Sequence, residues 1–133
     1  ALSWTQDNRA LLSGSLDGNI LAWSIDGFRI IARSRAHNRA INAMALSPDG
    51  STLATAGADL KVRIWTFNGS AFKDSAIIVN EKPINCLTWS KDGKALAAGS
   101  SDKNIVFYTG MDYASKTVIK AHDGSVTAIA IIP

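Results

Sequence analysis

Residues 37–67 read HNRAINAMALSPDGSTLATAGADLKVRIWTF, and the reading of this stretch decides the fold. It holds three runs rich in Ala, Leu, Ile, Thr and Val, at 41–47, 51–57 and 61–67, each of strand length. Asp49-Gly50 between the first two supplies the positive φ that a tight hairpin needs. A fourth run follows at about 72–79, after Asn68-Gly69. The same punctuation recurs at Asp17-Gly18, Asp26-Gly27, Asp92-Gly93 and Asp123-Gly124. Nowhere do apolar residues at i, i+3, i+4 and i+7 run between helix caps. Short strands joined by tight hairpins make an antiparallel all-β architecture.

The stretch is also one copy of a repeat. Asp49 has counterparts in Asp7 and Asp92, and Asp59 in Asp17 and Asp102, with steps of 42 and then 43 residues. Six residues after the second aspartate stands an aromatic: Trp23, Trp65 and Tyr108. Fourteen or fifteen residues further on come His37, Asn80 and His122, each four positions before Ile41, Ile84 and Val126. The one-residue insertion lies between Trp65 and Asn80. The units are expected at about 1–36, 37–79 and 80–121, with the first strand of a fourth unit at 122–133.

At these residues the repeat resembles the WD40 unit, whose four-stranded blades are arranged radially in a β-propeller. The resemblance implies an all-β fold of about three four-stranded blades, an incomplete ring. It also implies a buried structural tetrad of His, Ser or Thr, Asp and Trp. Unit 2 matches in full with His37, Thr55, Asp59 and Trp65. Unit 1 supplies Ser13, Asp17 and Trp23, and His122 stands at the histidine position of a fourth unit. Unit 3 departs, with Asn80, Ala98 and Tyr108 around a retained Asp102, so its internal tie is expected to be weaker. The aspartate of the Trp-Asp pair is absent, replaced by Ser24, Thr66 and Thr109. By the same resemblance, Asp59 accepts from the His37 ring and from turn amides, and Thr55 joins His37 to the Trp65 indole. About three blades do not close a ring, so the remaining ones are expected from a longer parent chain or from other copies.

His, Thr and Asp are also the residue types of a hydrolytic triad. A nucleophile, however, needs an oxyanion hole and a cleft beside it. An indole neighbour and a repeated pattern suit a device of the fold, so no enzyme is expected. No Gly-Lys-Ser/Thr loop follows a strand, and no acidic or histidine cluster has metal-ligand spacing, so neither cofactor nor metal is expected. Trp4 and Trp89 share a strand position with Leu46 and are read as inter-blade packing. Cys86 is read as a small buried hydrophobe.

Four arginines, Arg29, Arg33, Arg35 and Arg39, fall within eleven residues. Alternation puts Arg33 and Arg35 on one side of their strand, and Arg39 in the loop that enters unit 2. Guanidinium groups there can grip carboxylates or phosphates in a bidentate way. Arg33, Arg35 and Arg39 are therefore the candidate partner-binding residues. The alternative assignment is a solvated strand edge whose charges discourage edge pairing.

Composition excludes more than it names. Among 133 residues, 47% are hydrophobic and 19% charged, which belongs to a globular interior and not to disorder. A net charge of +3 does not by itself call for nucleic acid or a membrane surface. A single cysteine, Cys86, permits no internal disulfide. The apolar run Ala128–Ile132 is far too short to span a bilayer. Ala1 opens directly into strand-like sequence, and the expected setting is intracellular, in the cytoplasm or also the nucleus. The expected function is a non-enzymatic scaffold that binds partner proteins within a larger complex. The competing reading is a basic propeller face for nucleic acid or phosphorylated ligands, and the one aromatic near the arginines, Phe28, makes a poor stacking platform.

Overall fold

A computed structural model describes residues 1–132. Twelve strands form three four-stranded antiparallel sheets, each a simple meander in chain order. Unit 1 holds β1 (Leu2–Trp4), β2 (Ala10–Gly14), β3 (Asn19–Ser24) and β4 (Ile30–Arg35). Unit 2 holds β5 (Ile41–Leu46), β6 (Thr52–Gly57), β7 (Lys61–Phe67) and β8 (Phe72–Val79). Unit 3 holds β9 (Ile84–Trp89), β10 (Leu96–Ser100), β11 (Asn104–Thr109) and β12 (Ser115–Lys120), with one 3-10 turn at Met111–Tyr113. The β7–β8 hairpin of unit 2 is longer than its unit 1 counterpart, with Trp65 paired to Asp74 where Trp23 pairs to Ile30, and both hairpins share a register shift just before the tryptophan.

The first turn of each unit is held by the same small network. The hydroxyls of Thr5, Ser47 and Ser90 donate to the carboxylates of Asp7, Asp49 and Asp92 at 2.6–2.7 Å. The same carboxylates accept the backbone N–H of Arg9, Ser51 and Lys94. These side chains replace ladder bonds that a turn cannot make. The Asp49 carboxyl is accordingly lowered to about 2 by the Ser47 hydroxyl, the Ser51 N–H and the Ser51 hydroxyl.

Adjacent sheets stack face to face through alternate side chains. Leu12, Ile20 and Ala22 of unit 1 meet Leu53, Trp65 and Phe67 of unit 2. On the other face of unit 2, Ala54, Val62 and Ile64 meet Leu87, Leu96 and Tyr108 of unit 3. Backbone bonds repeat the tie: Gly18 O, Leu60 O and Lys103 O each accept the N–H of the residue that opens the next unit, His37, Asn80 and His122. Gly18 must be glycine here, because its φ is +83° and a Cβ would lie 2.0 Å from His37 O.

Residues 122–132 correct one expectation. They form no paired strand, and Pro133 lies outside the described residues. An opening strand of a blade pairs with the second strand of its own unit, and the described residues contain none for this one. Its start is nonetheless seated: Val126 is buried, its N–H reaches Ser100 O, and Asn85 Nδ2 donates to Val126 O at 3.0 Å. Asn42 makes the equivalent bond to Ile84 O one unit earlier.

Candidate functional site

Unit 2 contains a directed chain of donors. The Trp65 indole N–H donates to Thr55 Oγ1 at 3.1 Å, and Thr55 Oγ1 lies 2.8 Å from His37 Nε2. His37 Nδ1 lies 2.9 Å from Asp59 Oδ1. Burial opposes ionisation of Asp59, yet the His37 ring and the Asn38 and Lys61 N–H groups together hold its carboxyl below the usual range. Ionised Asp59 can only accept, so Nδ1 carries the proton and Nε2 receives the Thr55 hydroxyl. Burial also pushes His37 below 6.5, against the pull of Asp59, and the ring is neutral near pH 7. Such a chain, fully satisfied in a low-dielectric interior, fixes one side-chain arrangement. Gly57 makes room for it, since a Cβ there would come within 2.5 Å of the His37 ring.

In unit 1 the Trp23 indole donates to Ser13 Oγ at 2.8 Å, and Asp17 accepts the Asn19 N–H at 2.9 Å. Unit 3 is built otherwise. The Tyr108 hydroxyl donates straight to Asn80 Oδ1 at 2.6 Å, fully inside the protein, and so bypasses Ala98, which has no hydroxyl to relay. Burial pushes the Tyr108 phenol up to about 12, against the bond to Asn80. Asp102 is exposed and accepts only the Asn104 N–H, at 3.4 Å, among the described residues. Asp102 thus stands outside any tetrad, because asparagine is too short and is turned to the tyrosine. His122 is exposed too, with no unit-4 partners among the described residues. The Tyr108–Asn80 bond was legible in one signal: the hydroxyl missing from Ala98 reappears on the aromatic.

The tryptophans divide as well. Trp89 is buried, and its indole donates to Ala45 O of unit 2 at 2.9 Å. Trp4 is 54% exposed, with no described strand on that side of β1. Cys86 is half-buried beside Gly99, and burial raises its thiol.

Arg33 and Arg35 pair across the ladder with Leu21 and Asn19, which places both on the face turned away from unit 2. Arg33, Arg35 and Arg39 are all exposed. The ion pairs among the described residues are His37–Asp59 and Arg63–Asp74, so these three arginines engage no carboxylate. Sequence reading passed over Arg63. It donates to Ala36 O at 2.7 Å, pairs with Asp74, and lies 4.5 Å from the centre of the Trp65 ring. Arg63 therefore anchors the backbone from which Arg35 and Arg39 project. No group of three metal-ligating side chains and no helix long and apolar enough to cross a membrane occurs among the described residues.

Comparison with known proteins agrees with this geometry. The family described as "WD domain, G-beta repeat" matches residues 1–24, 28–66 and 75–109. The chain is 30% identical over 125 residues to Cilia- and flagella-associated protein 52 of Chlamydomonas reinhardtii, covering 92% of this chain and 20% of that protein. It is 30% identical over 130 residues to Actin-interacting protein 1-2 of Arabidopsis thaliana, covering 95% and 21%. The chain thus spans about a fifth of the length of these relatives. A chain in a crystal structure of the mitotic checkpoint complex superposes with a TM-score of 0.84 at 24% identity, over 96% of this chain and 40% of that one. Period, sheet order, tetrad geometry and profile match converge: the chain belongs to the WD40-repeat family and forms three four-stranded β-propeller blades.

Proposed function

We propose that these blades serve a non-enzymatic, intracellular protein-interaction scaffold, and that Arg33, Arg35 and Arg39 receive an acidic surface of a partner protein. The observation that carries the reading is the contrast between the arginines. Arg63 is engaged by Ala36 O and Asp74, whereas Arg33, Arg35 and Arg39 are exposed and pair with no carboxylate among the described residues. Blades of this kind present rigid edges while their loops vary, which suits docking. Relatives named for assemblies, such as the chain of the mitotic checkpoint complex, support a role within a complex. An exposed guanidinium gains little from the monomer but contributes to encounter and to bidentate recognition.

Charge reversal of all three to glutamate in the full chain tests this. Melting is expected to stay close to that of the parent, since exposed charges contribute about 0.5 kcal/mol or less each. Recovery of partners from lysate is expected to fall strongly. Unchanged recovery of every partner would return the arginines to a solvated edge. A steep loss of binding with added salt, traced to phosphate neutralisation, would favour the nucleic-acid or phospho-ligand reading instead.

A further inference from the structure

Asparagine is followed by glycine once in the chain, at Asn68-Gly69 in the β7–β8 hairpin. In such a pair the side chain can react with its own backbone. The amide nitrogen of the glycine attacks Cγ of the asparagine, a cyclic succinimide closes, and the side-chain nitrogen leaves as ammonia. Water then opens the ring at either carbonyl, giving aspartate or isoaspartate. Glycine suits the attack because no Cβ shields its nitrogen.

The hairpin tip meets each requirement of this chemistry. The nucleophile is free, because the Gly69 N–H donates to no backbone carbonyl among the described residues. At Asp17-Gly18, Asp49-Gly50 and Asp92-Gly93 the glycine N–H is instead held by the carbonyls of Ser15, Ser47 and Ser90. The electrophile is polarised: Asn68 Oδ1 accepts the Ser70 N–H at 2.9 Å, the Ser70 hydroxyl at 3.0 Å and the Ala71 N–H at 2.9 Å. Negative charge develops on that oxygen as Cγ is attacked, and donors at such distances stabilise it as an oxyanion hole does. Residues 68–70 are exposed, and a Cβ at Gly69 would meet nothing within 4 Å, so water reaches the reacting atoms. The other exposed asparagines differ. Asn8 precedes Arg9, whose N–H is held by Asp7 Oδ1. Asn38 precedes Arg39, whose β-carbon hinders attack, and Asn42 lies in β5 with its Nδ2 bonded to Ile84 O.

We propose that Asn68 is a site of spontaneous modification, converting through a succinimide to aspartate and isoaspartate with Ser70 and Ala71 as its oxyanion donors. The N–Cγ bond forms as the Cγ–Nδ2 bond breaks, the Gly69 proton passes to solvent, and water is the one co-reactant. The change places a carboxylate in the groove between blades 1 and 2, which Asp7, Arg9 and Asp49 also line. The isoaspartate branch also adds a carbon to the backbone of the turn that joins β7 to β8.

Incubation of the full chain at mildly alkaline pH, followed by peptide mapping in a mass spectrometer, tests it. The expected result is a mass gain of about one dalton in the peptide holding residue 68, split between two chromatographic peaks for aspartate and isoaspartate. Peptides holding Asn8 and Asn38 are expected to lag by at least an order of magnitude. Asn68→Gln keeps an amide but closes a larger ring, and is expected to abolish the gain. Ser70→Ala removes one donor to Oδ1 and is expected to slow it several-fold. Both substitutions fall at exposed positions, so parent-like melting is expected to accompany these changes. No gain at residue 68, an equal gain at Asn8 or Asn38, or a parent rate in either variant would overturn the proposal.

Discussion

Blades 2 and 3 put different chemistry into one frame. In blade 2 four side chains relay hydrogen bonds from Trp65 to Asp59. In blade 3 two do the same work, Tyr108 and Asn80, and the aspartate is released to the surface. The exchange is concerted. Gly57, which has no Cβ to strike the His37 ring, becomes Ser100, whose Oγ donates to Pro83 O in the space the shorter asparagine allows. Ala98 loses the hydroxyl that Thr55 supplies, and the aromatic gains one. A blade tolerates different internal wiring provided its buried polar groups are mostly paired and the strands keep their register.

The sharpest way to break the comparison is to delete the shared aspartate. Asp59→Ala is expected to cost roughly 2–4 kcal/mol, because it strands the buried His37 ring and two turn amides. Asp102→Ala is expected to shift melting far less, since its side chain is exposed and holds one long bond. Equal shifts in thermal or denaturant melts would show that blade 3 depends on its aspartate after all.

Next in size is the bond that replaced the relay. Tyr108→Phe keeps the ring but leaves Asn80 Oδ1 without its donor, and is expected to cost about 1–3 kcal/mol. Rebuilding the blade 2 wiring sharpens the point. Asn80→His alone is expected to destabilise by about 1–3 kcal/mol through overlap with the Ser100 Cβ. Adding Ser100→Gly is expected to recover part of that loss, so the two effects should be measurably non-additive in a double-mutant cycle. Simple additivity would mean that the serine and the asparagine are not coupled.

The smallest effect separates the blades by pH. His37 is held below 6.5 by burial and Asp59 below 3.8, so the unfolded chain binds more protons on acidification. Stability is therefore expected to fall as pH drops below 6.5, and further below 3.8. Tyr108 is pushed up from 10.0 to about 12, so the unfolded chain releases its proton first, and stability is expected to fall as pH rises from 10 towards 12. Asp59→Ala should remove the fall below pH 3.8 and steepen the fall below 6.5, because Asp59 is what favours the protonated His37 ring against burial. Tyr108→Phe should blunt the alkaline limb, in melts recorded across pH. A pH profile left unchanged by both substitutions would sever the limbs from these sites.

The repeat by itself sets out most of the fold. Steps of 42 and 43 residues between aspartates, with an aromatic six residues later, place strands and turns because each unit must bury the same faces against its neighbours. The expected strands at 41–47, 51–57, 61–67 and 72–79 appear as Ile41–Leu46, Thr52–Gly57, Lys61–Phe67 and Phe72–Val79. The residues of the blade 2 tetrad were named by the resemblance to the WD40 unit and not by spacing, since His37 and Asp59 lie outside the strands.

What only the tertiary structure decided lies where side chains from different blades share space. Arg63 reads as an ordinary strand residue, and its bond to Ala36 O joins groups brought together by blade stacking. The turn of Asn80 towards Tyr108 and the exposure of Asp102 depend on the size of neighbours one blade away. The segment 122–133 likewise reads as the first strand of a fourth unit, yet a ladder needs a second backbone, and no partner strand stands beside residues 122–132 among the described residues. Periodicity in the sequence records what a unit repeats. Packing between unlike units depends on volume and donor–acceptor balance, which no single period encodes.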